Sequence, residues 1–313
     1  MTDALALAHE AAAHWGALTA PPKLVRDREN AVFDLTLETG GRAALRLHRQ
    51  GYQSVDFISS ELRWTEELAR FHAFPCPEPL RTEAGALTVT LSTGRTASMV
   101  RWINATPIGA NGKPFEGTFE KQLAWYQHLG HLIAKMHRAT DRIDTTGIAR
   151  PAWNVDALLG ADPHWGRFWT NPALTKAERD LLQMVRKNAA QQLFEIKGLD
   201  EGLIHADLLQ ENVLQNASGL HIIDFDDSGV GYRLYDLGTA LIQHAEHAKL
   251  SDITHALCKG YGCSTELMPL FIMLRAMASC GWIISRAEAS DPRQRFYAER
   301  ALTCARRYLT SHV

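Results

Sequence analysis

The sequence predicts an α+β fold built from a β-rich first part and a mainly helical second part. Three observations carry this. Apolar and polar residues alternate with period two in short runs between residues 23 and 102, the pattern of half-buried strands. From Phe119 onward the apolar spacing becomes three and four, which is the helical period. Asn, Pro and Gly cluster between Ile103 and Gly112, where the pattern changes. The expected organisation is a first lobe over residues 1–102, a linker over 103–112 and a mainly helical lobe over 113–313.

Taken in order, Asp3 to Leu18 reads as an Ala-rich helix. Lys23 to Arg28, Val32 to Glu38 and Arg42 to Arg49 read as strands, and Thr39-Gly40-Gly41 joins the last two as a hairpin. Ser54 to Phe71 reads as a helix with Phe57, Ile58, Leu62, Leu68 and Phe71 near helical spacing. Pro75, Pro77 and Pro79 make an extended link, and Leu87 to Leu91 and Ala97 to Trp102 supply two more strands. The first part is thus expected to hold a five-stranded sheet and one helix. Phe119 to Arg138 is amphipathic, with Leu123, Tyr126, Leu129, Ile133 and Met136 on one stripe. Residues 151–172 form an aromatic-rich insert containing Trp153, Trp165, Phe168 and Trp169, and Leu174 to Phe194 is a further helix. Val213 to Gln215 and Leu220 to Ile223 read as a hairpin turning at Asn216-Ala217-Ser218-Gly219. Helices follow near Asp236 to His247, Asp252 to Tyr261, Thr265 to Arg286 and Pro292 to Thr310.

Composition narrows the function classes. A formal net charge of −2 and no basic run argue against nucleic acid as a partner. The most apolar run, Leu267 to Ser285, is broken by Pro269 and Arg275, so a buried helix is expected there and no membrane span. The five cysteines form no Cys-x-x-Cys pair, no zinc spacing and no disulfide framework, and no signal pattern opens the chain, so a cytoplasmic protein with reduced thiols is expected, a monomer or a homodimer.

The chemistry concentrates between His205 and Asp227. Asp207 and Asn212 lie five residues apart in a polar loop, and Asp224 follows the returning strand of the hairpin. That hairpin is expected to bring Asn212 and Asp224 together at its open end. Two oxygen ligands beside a free carboxylate suit Mg²⁺, which takes few protein oxygens and completes its shell with water and phosphates. No second His-x-Asp pair and no His-Glu-x-x-His helix is present, which argues against a dinuclear metal hydrolase.

His205, Asp207 and Asn212, followed by Asp224-Phe225-Asp226, resemble the catalytic loop and metal-binding triplet of the protein-kinase-like phosphotransferases. The Asp in the third place of the triplet, the second Asp after it and Tyr235-Asp236-Leu237 are similar to the branch of aminoglycoside phosphotransferases, choline kinases and type II homoserine kinases. Two departures stand out. Ala206 occupies the place where that branch often has Gly, and Leu209-Gln210-Glu211 replaces its His-x-Gly. The resemblance implies a bilobal kinase-like fold, ATP bound near the linker and Mg²⁺ as cofactor. It implies Asp207 as the catalytic carboxylate, His205 as support for its loop, Asn212 and Asp224 as metal ligands, Asp226 as a further loop or metal contact, and Asp236 as a helix cap that anchors the loop.

On the nucleotide side, alternation in residues 43–49 sets Arg46 on the face opposite Leu45 and Leu47. By resemblance Arg46 takes the role of the phosphate-binding Lys of the kinase third strand, and Glu61 pairs with it from the first helix; Glu66 and Glu67 are rivals for that pairing. The loop Asp27-Arg28-Glu29-Asn30-Ala31 stands where the nucleotide-covering loop is expected, with Asn30 shaping its turn, and Arg101, Trp102 and Ile103 border the linker. The chain has no Gly-x-x-x-x-Gly-Lys-Ser/Thr, which excludes a P-loop NTPase. The expected acceptor is a hydroxyl on a small, amine-bearing molecule such as a homoserine-like compound, an amino alcohol or an aminoglycoside. Asp226, Asp227 and Glu211 favour a cation, and the aromatic insert either covers the acceptor or packs the lobe. Two other readings stand beside this one, a Ser/Thr protein kinase of the same fold and a nucleotide-binding scaffold without turnover. The first lacks an Ala-Pro-Glu segment after the triplet.

Overall fold

The structure is a computed structural model that describes residues 2–27, 30–110, 115 and 117–311. Arg28 and Glu29 of the expected nucleotide loop, and Asn111 and Gly112 of the expected linker, lie outside the described residues. The chain divides into two compact units that are not contiguous in sequence. The first comprises Met1–Thr106, Arg142–Arg150 and Gln215–Asp226; the second comprises Pro107–Asp141, Pro151–Leu214 and Asp227–Val313. The sequence expectation cut the chain once, at 103–112.

The first unit begins with α1 (Thr2–Ala12), then β1 (Lys23–Asp27), β2 (Ala31–Leu37), β3 (Gly41–Leu47), α2 (Val55–Phe71), β4 (Pro79–Leu80), β5 (Thr88–Thr90) and β6 (Thr96–Arg101). The strands form one sheet in the order β1-β2-β3-β6-β4, with β5 also on β6. Period-two alternation buries Phe33, Leu35, Ala43, Leu45 and Met99 on one face. Phe33, Leu45 and Met99 stand opposite one another across three strands. Burying each contributes about 2 kcal/mol, and a Leu45→Ala cavity would cost about 3 kcal/mol. Helix α2 starts where the Ser54 side chain accepts a hydrogen bond from the Phe57 amide. It buries Ile58 and Leu62 against Leu87 and Val100.

Two expectations are corrected here. Among the described residues this sheet has six strands and not five, because Pro79–Leu80 pairs with Val100 and Met99 of β6. A proline is tolerated there because it begins an edge strand, where its missing N–H breaks no ladder. The N-terminal helix ends at Ala12 rather than Leu18. Trp15 is buried and its indole N–H donates to the Leu80 carbonyl at 2.7 Å. Gly16 then takes a φ of +120° and Leu18 bridges to Leu37, so the chain must leave the helical path. Leu7, Ala8, Ala11 and Ala12 of α1 join the sheet's core, which gives the unit two helices among the described residues.

After β7 (Thr106–Pro107) come α3 (Phe119–Thr140), β8 (Ala152–Trp153), α4 (Val155–Leu159), α5 (Lys176–Glu195) and β9 (Glu201–Ile204). Then follow β10 (Val213–Asn216), β11 (Gly219–Ile222), β12 (Gly229–Tyr232), α6 (Leu234–Leu241), α7 (Leu250–Tyr261), α8 (Met268–Trp282) and α9 (Pro292–Thr310). The predicted hairpin is present, since β10 and β11 are neighbours in a three-stranded sheet with β7. In the second unit β12 lies between β8 and β9. Helices α3 and α7 approach closely at two glycines. A Cβ on Gly130 would meet the Leu257 carbonyl at 2.1 Å, and one on Gly260 the Gln127 carbonyl at 1.9 Å. Helix α8 is buried on nearly every side. The stretch Met268–Ser285 has the length and apolarity to cross a membrane, yet 78% of it is buried inside the protein, as befits a core helix.

Candidate active site

The second unit builds a loop directly after β9, and one carboxylate holds it. Asp236 is completely buried in the first turn of α6. Its Oδ2 accepts the His205 amide at 2.9 Å and its Oδ1 accepts the Ala206 amide at 2.7 Å. His137 of α3 donates from Nε2 to Oδ2 at 3.0 Å, and its Nδ1 meets the Tyr261 hydroxyl at 2.9 Å. The expectation that Asp236 caps α6 is therefore corrected. Arg233 is the capping residue and makes no side-chain cap bond, because the Asp236 carboxylate is turned toward the loop. Three charge-assisted donors satisfy a carboxylate whose burial would otherwise be costly. Ala206 sits at φ +64°, the left-handed region that glycine favours. This is the position where the resembled branch often has Gly, and the Asp236 bond to its amide holds the strained residue in place.

His205 is fully buried, and its Nδ1 accepts the Asp207 amide at 3.2 Å. Asp207 is gripped from two sides. Asn212 donates from Nδ2 to the Asp207 carbonyl at 2.8 Å and to its Oδ2 at 2.9 Å. That use of the amide nitrogen fixes the flip of Asn212 and turns its Oδ1 away as an acceptor or ligand. Arg275 of α8 donates from Nη2 to Asp207 Oδ1 at 2.6 Å. The turn that carries Asn212 is held by Gln210. Its amide nitrogen Nε2 reaches the Tyr126 hydroxyl at 3.2 Å and His244 Nε2 at 2.8 Å. Burial lowers the His244 pKa to about 4, so its imidazole is neutral and accepts hydrogen bonds at Nε2. Gly109 leaves room for this side chain, since a Cβ there would meet Gln210 Oε1 at 2.3 Å. In the sequence Gln210 stands out only as a departure from the branch pattern, Tyr126 only as part of an apolar stripe and Arg275 only as a break in an apolar run.

In the first unit Arg46 donates from Nη2 to Glu61 Oε1 at 2.7 Å, and both side chains are nearly buried. Burial pulls the Arg46 pKa down, but the carboxylates of Glu61, Asp226 and Asp224 outweigh it and the net shift is upward. Arg46 Nε and Glu61 Oε2 are buried without a hydrogen-bond partner, so the pair keeps capacity for a polar ligand. Glu66 is engaged elsewhere, by Arg81 and Arg70, which leaves Glu61 as the partner of Arg46. The triplet is placed through its backbone: the Asp226 carbonyl accepts from Gln53 at 2.9 Å and from Arg150 at 2.5 Å, and Phe225 meets Trp64 edge-on at 5.3 Å. Asp224 has φ +69°, a second strained residue at the site.

The remaining expected residues are more dispersed. Asn30 Oδ1 accepts the Arg49 amide at 3.0 Å, tying the turn before β2 to the end of β3. Arg46 stands opposite Ser98, and Arg101 lies three residues further along β6, so the two arginines project to opposite faces. Arg101 instead pairs with Glu78 at 3.2 Å. Trp102 carries the Arg42 guanidinium 4.2 Å over its ring, and the Ile103 carbonyl accepts the Ala105 amide at 3.0 Å. Among the described residues no group of three or more His, Cys, Asp or Glu gathers as a metal cage. A cation held by one Asn and one Asp, with phosphates completing its shell, is of a different type.

The family model described as the phosphotransferase enzyme family, APH, matches residues 23–271. The chain belongs to that family. The chain is 24% identical over 206 residues to a homoserine kinase of Methylobacillus glycogenes, covering 64% of this chain and 56% of that protein. It thus spans little more than half the length of that relative. It is 22% identical over 282 residues to the amicoumacin kinase of Bacillus subtilis (strain 168), covering 85% and 78% of the two chains. Among solved structures, a microcompartment-associated aminopropanol kinase superposes with a TM-score of 0.81 at 27% identity, covering 98% of each chain. An amicoumacin kinase solved in complex with AMP-PNP, Ca²⁺ and Ami gives 0.75 at 16% identity over 98% and 93%, a likeness of fold. The α+β, kinase-like character expected of this phosphotransferase family chain agrees with these neighbours.

Proposed function

We propose that this chain transfers the γ-phosphate of ATP to a hydroxyl of a small, amine-bearing molecule with Mg²⁺ as cofactor. The observation that carries the reading is the Asp207–Asn212 pair, a carboxylate oriented by an amide whose own oxygen is left for another ligand. In this reading Asp207 accepts a hydrogen bond from the acceptor hydroxyl and takes its proton late. The acceptor oxygen bonds to the γ-phosphorus as the bond from that phosphorus to the bridging oxygen breaks, releasing ADP. Asn212 Oδ1 and the Asp224 carboxylate would hold the divalent cation, and Asp226 would add a contact. Mg²⁺ supplies neutralisation of the charge on the β- and γ-phosphates when bound. Arg46, steadied by Glu61, faces the phosphates as a fixed cation. His205 supports the loop, and Asn30 and the backbone at Arg101, Trp102 and Ile103 border the nucleotide.

An amino alcohol is the favoured acceptor. The aminopropanol kinase is similar over 98% of both chains, and Asp227 and Glu211 place acidic groups close in sequence to the loop. A protein acceptor fits less well, because β12 and α6 follow the triplet within eight residues, too few for a long activation segment. Relatives crystallised with AMP-PNP and Ca²⁺ or with ADP support nucleotide and divalent-cation use. A cytoplasmic location is favoured by five free thiols. The test is phosphate transfer from ATP to a panel of amino alcohols, homoserine, aminoglycosides and a generic protein, with Asp207→Asn alongside. The expected result is turnover on an amino alcohol and loss of about a thousandfold in Asp207→Asn with ATP affinity kept. Phosphorylation of the protein alone, or full activity in Asp207→Asn, would overturn the reading.

A further inference from the structure

A cation inside an apolar helix demands an account. Arg275 lies on α8 among Met273, Leu274, Ala276 and Met277, and its side chain is 5% exposed. Leaving water costs a guanidinium several kcal/mol unless its N–H groups and its charge are matched. Here both Nη groups are matched, while Nε is buried without a hydrogen-bond partner. Nη2 donates to Asp207 Oδ1 at 2.6 Å, and Nη1 donates to the Ser279 hydroxyl at 2.7 Å, one helical turn on. Ser279 in turn donates to the Arg275 carbonyl at 3.0 Å, so the two side chains lock each other. The Trp165 ring of the aromatic insert lies 4.7 Å from the guanidinium carbon. The carboxylates whose charge acts on it are Asp207 on the loop and Asp227 just before β12. Burial pulls the Arg275 pKa down, and these groups bring the net shift upward, so the guanidinium is a permanent cation.

Asp207 is therefore held by two different donors, Arg275 at Oδ1 and Asn212 at Oδ2. Two fixed anchors, one on each oxygen, define the plane of a carboxylate. A single anchor leaves it free to turn. Each oxygen retains a second lone pair for an incoming hydroxyl. We propose that Arg275 is a positioning residue for phosphoryl transfer, fixing the plane of the Asp207 carboxylate and stacking on Trp165 so that the aromatic insert and the reacting carboxylate are tied to one rigid helix. This rests on the reading of Asp207 given above. It assigns the lone charge in α8 to function and gives the aromatic insert a share in catalysis that packing alone would not.

The experiment is a double-mutant cycle between Arg275→Met and Asp207→Asn, with acceptor turnover, ATP affinity and thermal unfolding measured for each variant. Arg275→Met should lower kcat about tenfold to a hundredfold while ATP affinity changes less than about twofold. In the Asp207→Asn background the same change should cost less than about twofold, because a residue that acts through Asp207 has nothing left to position. Added guanidinium ion at millimolar concentration should restore part of the lost kcat in Arg275→Met and none in the double variant. Arg275→Lys should fall between, since it keeps the charge without the two-pronged grip, and it replaces Arg275→Met in the cycle if the latter loses its cooperative unfolding transition. Wild-type kcat in Arg275→Met, or an equal loss in both backgrounds, would overturn the proposal. Full activity in Asp207→Asn would instead sink the catalytic reading on which it rests.

Discussion

Ala206 and Asp224 are the two strained non-glycine residues beside the chemistry, and the sequence points to one of them indirectly, through the place where the resembled branch often has Gly. The left-handed conformation costs Ala206 about 1–2 kcal/mol, while glycine there adds up to about 1 kcal/mol of unfolded-state entropy. Ala206→Gly is accordingly expected to stabilise the protein by up to about 1 kcal/mol in chemical denaturation, and a loss of stability would show that Asp236 has already removed the strain. Glu61 gives a second single-residue expectation. It holds Arg46 through one oxygen while the other is unpartnered. Glu61→Gln keeps the shape and removes the charge, so kcat/KM for ATP should fall about tenfold or more with little change in acceptor KM. A change confined to the acceptor would place the pair elsewhere in the mechanism. At this scale the sequence was most informative about polar residues in a fixed local spacing, such as Asp207 and Asn212. It pointed to no partner for Arg275, because Asp207 is 68 positions away.

Among the elements, those with strong periodicity were legible and those made by distant pairing were not. Helices α2, α3, α5 and α9 follow their apolar stripes closely, and the Thr175 capping box marks where α5 begins. The two-residue strands β4 and β8 carry no periodic signal and exist because partners elsewhere offer an edge. Helix α6 stops at Leu241 and passes into a tighter turn over Ile242–His244, which directs His244 at Gln210 and Tyr126. That geometry makes a pH-dependent device of stability. Burial lowers the His244 pKa to about 4, and burial with Arg46, Arg95 and Arg150 lowers that of His48 well below its usual value. The unfolded chain binds these protons below about pH 6.5 and the folded protein does not. Stability is therefore full above that pH and is lost as the pH falls toward the folded-state values. Glu178 and Asp291, held near 2 by hydrogen bonds chiefly from Arg295 and Arg293, contribute to the slope only at lower pH. The melting temperature should fall between about pH 7.5 and pH 5, and His244→Gln should flatten part of that slope. An unchanged melting temperature in the wild type across this interval would refute the buried, neutral histidines.

At the scale of the whole molecule, the sequence divides the chain by composition, whereas contacts divide it by which segments fold together. Residues 142–150 and 215–226 belong with the first unit although they lie within the helical half of the sequence. Arg150 shows why: it is spent on the Phe57 carbonyl of α2 and on the Asp226 carbonyl, links that no local pattern announces. The two halves of the candidate chemistry are consequently encoded on different units, with Arg46, Glu61, Asp224 and Asp226 on the first and His205, Asp207, Asn212 and Asp236 on the second. A ligand that binds only the folded protein stabilises it by RT ln(1 + [L]/Kd). A non-hydrolysable ATP analogue with Mg²⁺ at about a hundred times its Kd should then add about 2.7 kcal/mol and raise the melting temperature. Chelation with EDTA should remove most of that shift and abolish turnover. Asp224→Asn should do the same to the metal-dependent part of the shift, measured from that variant's own ligand-free melting temperature. A full shift in the presence of EDTA, or a shift in Asp224→Asn equal to that of the wild type, would remove the divalent cation from the proposed site. The nucleotide phosphates would then rest on Arg46 without it.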